Sequence, residues 1–155
     1  MKLPIYQVDA FTDQLFKGNY AAVVPLTQVI SNELMQQIAT ENNLSETAFI
    51  LKLAEDHYQI RWFSPVTEID FCGHATLAAA YVLLQREPVA SLRFSTLKVG
   101  DLSVVQGQDG WLDMNFPARP ATVQAEVPAA LLQAQNHNPV SVLRSEKALF
   151  FLYFE

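Results

Sequence analysis

The sequence predicts an α/β (α+β) fold in which short strands enclose one buried helix, and three observations carry that reading. First, Ala75 to Leu84 is apolar on every side except for Thr76 and the Tyr81 hydroxyl. It is rich in Ala and Leu and free of Gly and Pro, the composition of a stable helix. A helix that is hydrophobic all round is buried rather than amphipathic, and about ten residues fall well short of the roughly twenty that span a bilayer. Second, alternating apolar and polar residues mark strands on both sides of this helix. Third, 155 residues, half of them hydrophobic, suffice for one well-packed core.

The elements follow in order. Ile5 to Ala10 alternates Tyr6, Val8 and Ala10 with Ile5, Gln7 and Asp9, as a half-buried strand does. A loop then runs to Gly18-Asn19, a pair that tolerates positive φ, and Tyr20 to Val24 forms a short strand stopped by Pro25. Ser31-Asn32-Glu33 supplies a helix cap and a first-turn acid. Leu34, Met35, Ile38 and Ala39 share one face of a helix to about Glu41, ended by Asn42-Asn43. Leu44 to Ile50 is a turn that becomes a strand. Tyr58, Ile60 and Trp62 alternate with Gln59, Arg61 and Phe63 in a strand closed by Ser64-Pro65. The buried helix comes next, its first turn carrying Cys72, Gly73 and His74.

Beyond Pro88 three strands are predicted, at Leu92–Ser95, Gly100–Val105 and Trp111–Phe116, the last two joined as a hairpin at Asp109-Gly110. Phe116 to Pro120 breaks the sheet and reads as a linker, so residues 1–120 form one domain and 121–155 a separate segment. Val127 to Gln133 has the composition of a short helix. The chain finishes on Ala148-Leu149-Phe150-Phe151-Leu152-Tyr153-Phe154-Glu155, an aromatic strand that aggregates unless something covers it.

Composition excludes several functions. The formal charge is −6 with a pI of about 5.0, and cations are nowhere concentrated, which argues against nucleic-acid partners and against a basic membrane-binding face. A single cysteine rules out an intramolecular disulfide. The first residues read as a strand rather than a signal peptide, so a cytoplasmic location is expected. Gly-rich nucleotide loops and a Gly-x-Ser-x-Gly elbow are absent.

Four positions stand out chemically. The start of a buried helix presents unpaired N–H groups and partial positive charge, and Gly73 lets a ligand approach that backbone, so this turn reads as a pocket for a carboxylate or as a glycine turn that merely begins a core helix. Glu46 lies among Leu44, Ala48 and Phe49; desolvation there raises a carboxyl pKa toward the range useful for proton transfer, unless the side chain turns to solvent. His74 is suited to bonding a substrate or relaying a proton, or to a structural role. Cys72 is either a thiolate favoured by the helix N-terminus or a small core residue. A metal held by Cys72, His74 and His57 is a weak alternative, because Cys-x-His lacks a second ligand pair, and no metal is expected. His137, among Asn136, Asn138 and Pro139, reads as a loop residue.

Seven blocks in order carry a resemblance: Val8-Asp9-Ala10-Phe11-Thr12, Gly18-Asn19, Met35-Gln36-Gln37-Ile38-Ala39, Leu44-Ser45-Glu46-Thr47-Ala48-Phe49, Arg61-Trp62-Phe63-Ser64-Pro65, Cys72-Gly73-His74-Ala75-Thr76 and Phe116-Pro117-Ala118. Over about residues 5 to 120 the chain resembles the N-terminal half of the phenazine-biosynthesis PhzF-like family. The resemblance implies a diaminopimelate epimerase-like fold: two similar domains, each a curved, mostly antiparallel sheet wrapped around one central helix, with the site between them. It further implies isomerisation of a dihydro-hydroxyanthranilate without metal or cofactor. Glu46 would move the proton, Gly73 and His74 would receive the substrate carboxylate, and Ser45 would line the pocket. Cys72 stands where the epimerase relatives keep a catalytic cysteine.

Family members are about twice as long, and their second domain adds an Asp and a Gly-Ser turn that nothing here matches. Residues 125–155 therefore read as the opening of that domain, cut at its first or second strand, and a second copy in a homodimer is one source of the missing wall. The function expected is a cofactor-independent isomerase acting on a small cyclic carboxylate. Two alternatives remain: a racemase or epimerase dependent on Cys72, and a non-catalytic dimerisation or binding domain using the Phe150–Phe154 strand.

Overall fold

The computed structural model describes residues 2–118, 120–124, 126–135, 137–145 and 150–153. It divides into two compact units, Met1–Phe116 and Pro117–Glu155, the break falling at the start of the Pro-rich segment read as a linker.

The first unit contains β1 (Tyr6–Ala10), β2 (Asn19–Leu26), α1 (Asn32–Asn42), β3 (Thr47–Lys52), β4 (His57–Phe63), β5 (Glu68–Ile69), α2 (Gly73–Leu84), β6 (Ser91–Ser95), β7 (Asp101–Gln106) and β8 (Leu112–Asn115). One sheet runs in the order β1-β2-β3-β4-β6-β7-β8, with β5 beside β4. The β2–β3 and β4–β6 pairs are parallel and the others antiparallel. Helix α2 touches β1, β2, β3 and also β8. Because β1 and β8 stand at opposite ends of the strand order, the sheet must curl around the helix to bring both to it. The enclosed helix and the curved, mostly antiparallel sheet match the α/β fold class expected.

Period-two alternation explains how the sheet serves two cores at once. Ala21, Val23, Ala48, Ile50, Tyr58, Ile60 and Trp62 join the cluster around α2. Val24, Phe49 and Phe63 turn to the other face, where Met35 and Ala39 of α1 meet them. The predicted cap of α1 forms: the Leu34 N–H donates to Ser31 Oγ at 3.2 Å. At the other end Asn43 takes the left-handed conformation, φ 50°, and its N–H donates to the Ala39 carbonyl, as a helix-terminating Asn does.

Several local expectations are corrected. Strand β2 does not stop at Pro25 but continues to Leu26. The Ala22 N–H donates to the Glu46 carbonyl, on the β3 side, so by alternation the Pro25 nitrogen faces the β1 side, where pairing has already ended at Tyr6–Val23. No ladder bond is lost there. The two-residue β5 has no sequence signal of its own, and β8 ends at Asn115, leaving Phe116 outside the sheet.

The second unit comprises β9 (Ala121–Val123), α3 (Ala129–Gln133), β10 (Ser141–Ser145) and β11 (Phe150–Tyr153), the strands forming a sheet in the order β11-β10-β9. The aromatic terminal strand, read as needing a cover, is paired along one edge: Ser141 to Arg144 of β10 lie opposite Tyr153 to Phe150. Residues 148, 149, 154 and 155 of that predicted strand lie outside the described residues, as do Arg119 of the linker and Asn136.

Candidate active site

Helix α2 starts where the chain leaves an extended Cys72, φ −143° and ψ 110°. The Thr76 N–H closes the first helical turn onto the Cys72 carbonyl at 3.1 Å, and the buried Thr76 hydroxyl donates to the same oxygen at 2.6 Å. The N–H groups of Gly73, His74 and Ala75 therefore precede the first intrahelical bond. Thr76 was not among the residues singled out from the sequence; a hydroxyl four residues after a helix start, in an otherwise apolar run, is the signal that marks it. A Cβ built on Gly73 would meet nothing closer than Met114 Cε at 3.5 Å, so packing does not demand glycine there.

Glu46 lies between α1 and β3, and its neighbours are tied on both sides. Its carbonyl accepts from Ala22 N–H at 3.0 Å, Ser45 Oγ donates to the Tyr20 carbonyl at 3.2 Å, and Asn42 Nδ2 donates to Thr47 Oγ1 at 3.3 Å. The carboxylate turns inward rather than to solvent. Glu46 Oε2 lies 3.0 Å from His74 Nε2, with the two side chains 20% and 12% exposed. The contact lacks the alignment of a hydrogen bond, and neither buried atom has a hydrogen-bond partner among the described residues. Both therefore retain bonding capacity toward a third group.

At the other ring nitrogen, Cys72 Sγ lies 3.3 Å from His74 Nδ1. Burial pushes the Cys72 thiol up to about 12, the nearby Glu46 charge adds to the rise, and the Ala75 and His74 backbone N–H groups offset it only in part. Of the two alternatives for Cys72 this favours the small core residue over the thiolate: desolvation outweighs the helix terminus and keeps the thiol protonated at neutral pH.

Glu46, Cys72 and His74 bring a carboxylate, a thiol and an imidazole within 4.8 Å of one another. The carboxylate and the thiol approach different ring nitrogens, and they also lie within 4.8 Å of each other, on one side of the ring rather than across it. His57 does not join this cluster. Arg93 donates to its Nδ1 at 3.1 Å, which leaves the ring proton on Nε2, 2.7 Å from Ser95 Oγ, and Ser95 in turn donates to Asp101 at 2.8 Å. The protons run from histidine to serine to aspartate, the reverse of a serine nucleophile's. Ser45 is exposed with its hydroxyl engaged at Tyr20, and His137 lies on an exposed stretch of the second unit.

Comparison with known proteins adds to this geometry. Residues 8–149 match the family model of phenazine biosynthesis-like (PhzC/PhzF) proteins. An uncharacterized isomerase of Pseudomonas aeruginosa is 48% identical over 151 residues, covering 96% of this chain and 57% of its own. The human phenazine biosynthesis-like domain-containing protein is 43% identical over 133 residues, covering 80% of this chain and 46% of its own. Among solved structures, a PhzF-family protein of Enterococcus faecalis superposes with a TM-score of 0.80 at 35% identity, over all of this chain and 58% of that one. A Clostridium difficile PhzC/PhzF protein gives 0.78 at 41%, over 93% and 55%. A predicted epimerase of Pseudomonas aeruginosa, 20% identical with a TM-score of 0.76, shares the fold. The chain thus spans about half the length of the relatives it matches, and it belongs to the phenazine biosynthesis-like PhzC/PhzF family.

Proposed function

We propose that this chain carries the proton-transfer side of a cofactor-independent isomerase acting on a small cyclic carboxylate. The single observation that supports this reading most is the pairing of a largely buried Glu46 carboxylate with His74 at the start of an enclosed helix, 3.0 Å apart and unaligned. In the proposed reaction Glu46 takes a proton from a ring carbon. The electron pair left behind shifts through the conjugated system, and Glu46 returns the proton to a different carbon. No electron leaves or enters, and the products are isomers of the substrate.

The substrate carboxylate is received at the N–H groups that precede the first intrahelical bond, Gly73 foremost, where the helix dipole favours negative charge. His74 Nε2 supplies a further donor. Such preorganised donors stabilise the charge that develops on the carboxylate side as the ring carbon loses its proton. Cys72 has no part in proton abstraction under this reading, since its thiol is held neutral.

Glu46→Gln is the decisive variant. With a dihydro-hydroxyanthranilate in D2O, followed by NMR, turnover and deuterium incorporation at carbon should fall together by about 10²–10⁴-fold, the range general acid–base groups contribute. Unchanged deuterium incorporation in Glu46→Gln would reject the assignment. Loss of incorporation in Cys72→Ser alone would point instead to a thiol-dependent epimerase.

A further inference from the structure

A neutral imidazole carries one proton and can place it on either nitrogen, and the two nitrogens of His74 face chemically different neighbours. Nδ1 faces the Cys72 sulfur at 3.3 Å and Nε2 faces a Glu46 oxygen at 3.0 Å. Even without hydrogen-bond alignment, the negative Nε2 lone pair is disfavoured within 3.0 Å of a carboxylate oxygen, so a proton on Nε2 suits the state in which Glu46 is a base. That arrangement leaves the Nδ1 lone pair in a largely buried position, where an unpaired acceptor is costly.

Cys72 is placed to fill that vacancy. It occupies the N-cap of α2, where Ser, Thr or Asp would ordinarily accept a bond from the helix, and although the Ala75 and His74 N–H groups lie near its sulfur, none makes a bond of capping geometry. Instead the sulfur lies beside Nδ1. We propose that Cys72 is a positioning residue whose S–H donates to His74 Nδ1 and so confines the imidazole proton to Nε2, the nitrogen that faces Glu46.

Burial supports the arrangement because it keeps the thiol protonated and therefore a donor. The Nε2–H then sits beside the Glu46 carboxyl in both states of the acid, unaligned with it and available to bond the substrate. A proton on Nδ1 instead would turn the sulfur into an acceptor and leave the Nε2 lone pair opposed to the Glu46 carboxylate. The inference rests on the proton-transfer reading of the site, but it concerns where one proton sits, which can be measured without any substrate.

The test is the ring 15N pattern of His74 in the full 155-residue chain labelled with 15N-histidine at pH 7. His74→Asn identifies the resonance among the three histidines. The wild type should show a bare, pyridine-type Nδ1 and a protonated Nε2. In Cys72→Ala the two nitrogen shifts should move toward each other as the proton spreads over both sites, and Cys72→Ser, which restores a donor, should return them toward wild type. A wild-type ring protonated on Nδ1, or on both nitrogens, overturns the proposal, and so do identical ring shifts in wild type and Cys72→Ala. If Cys72→Ala does not fold, the wild-type and Cys72→Ser patterns decide. A failure here leaves the Glu46 deuterium result untouched, so the two readings fail separately.

Discussion

At Cys72 two influences compete, the positive end of α2 and the removal of the thiol from water, and the outcome has a thermodynamic signature. The thiol's folded value is raised from an ordinary 9.0 to about 12. Above pH 9 the unfolded chain gives up this proton while the folded chain keeps it, so the unfolded state binds fewer protons and stability falls as pH rises. Between pH 9 and 12 the contribution amounts to at most about 1.4 kcal/mol per pH unit. Urea unfolding across that window should show a steeper decline in wild type than in Cys72→Ala, whatever the alanine costs at neutral pH; parallel curves would contradict the burial argument. Gly73 offers the complementary case. With 3.5 Å of clearance for a Cβ and no left-handed backbone to lose, Gly73→Ala should keep or raise stability by up to about 1 kcal/mol. The added methyl beside the free N–H groups should nonetheless raise KM for a carboxylate substrate by about tenfold, equivalent to about 1.4 kcal/mol of binding. Weaker folding with unchanged KM would make Gly73 a structural turn. The residue types of this turn were legible in the sequence. The Cys72 protonation state was not, because burial is set by distant strands rather than by the helix that carries the thiol.

At the scale of elements, α2 is the piece that its own composition specifies most fully. Its alanines Ala75, Ala78, Ala79 and Ala80 are at most 1% exposed, and their small side chains let a curled sheet approach the helix from several directions. Enlarging one of them has no solvent to expand into. Ala79→Leu should therefore destabilise the fold by about 1–3 kcal/mol through overpacking, read as a lower urea midpoint with an unchanged m-value; a neutral effect would mean that the sheet opens more easily than its packing implies. The amphipathic α1 and the alternating β3 and β4 were equally readable, since period and caps are local. The elements left unassigned or cut short are those whose strand character depends on a partner. Ser141 to Ser145 has little alternation and becomes β10 because β9 and β11 flank it. Likewise β2 extends through Pro25 only because the proline nitrogen faces a side with nothing to bond. The approach of Glu46 to His74 belongs to this class as well: 28 positions separate them, and only the pairing of β2 with β3, against the helix both pack on, brings them to 3.0 Å.

For the whole molecule, the distribution of buried side chains predicts unequal stability. The first unit holds both clusters of buried hydrophobic residues found among the described residues, including fully buried Ala21, Val23, Ile60, Phe94 and Val104. Burial of side chains this size contributes about 1.5–3 kcal/mol apiece for the larger ones. In the second unit Val142 and Ser145 are buried, α3 has no buried residue, and Val123, Val140, Phe151 and Tyr153 are each about half exposed or more. Backbone ordering costs about 1–2 kcal/mol per residue in either unit, so the second has far less apolar burial to set against it. Native-state hydrogen exchange should accordingly find that β9, β10 and β11 open sub-globally, at a free energy several kcal/mol below that of β3 and β4. The β10 amides are the sharpest probe, because they lie in the middle strand of their sheet and are hydrogen-bonded on both sides. If they exchange only through the same global unfolding as β3, the two units form a single cooperative body and the reading of residues 117–155 as a separately stabilised segment is wrong.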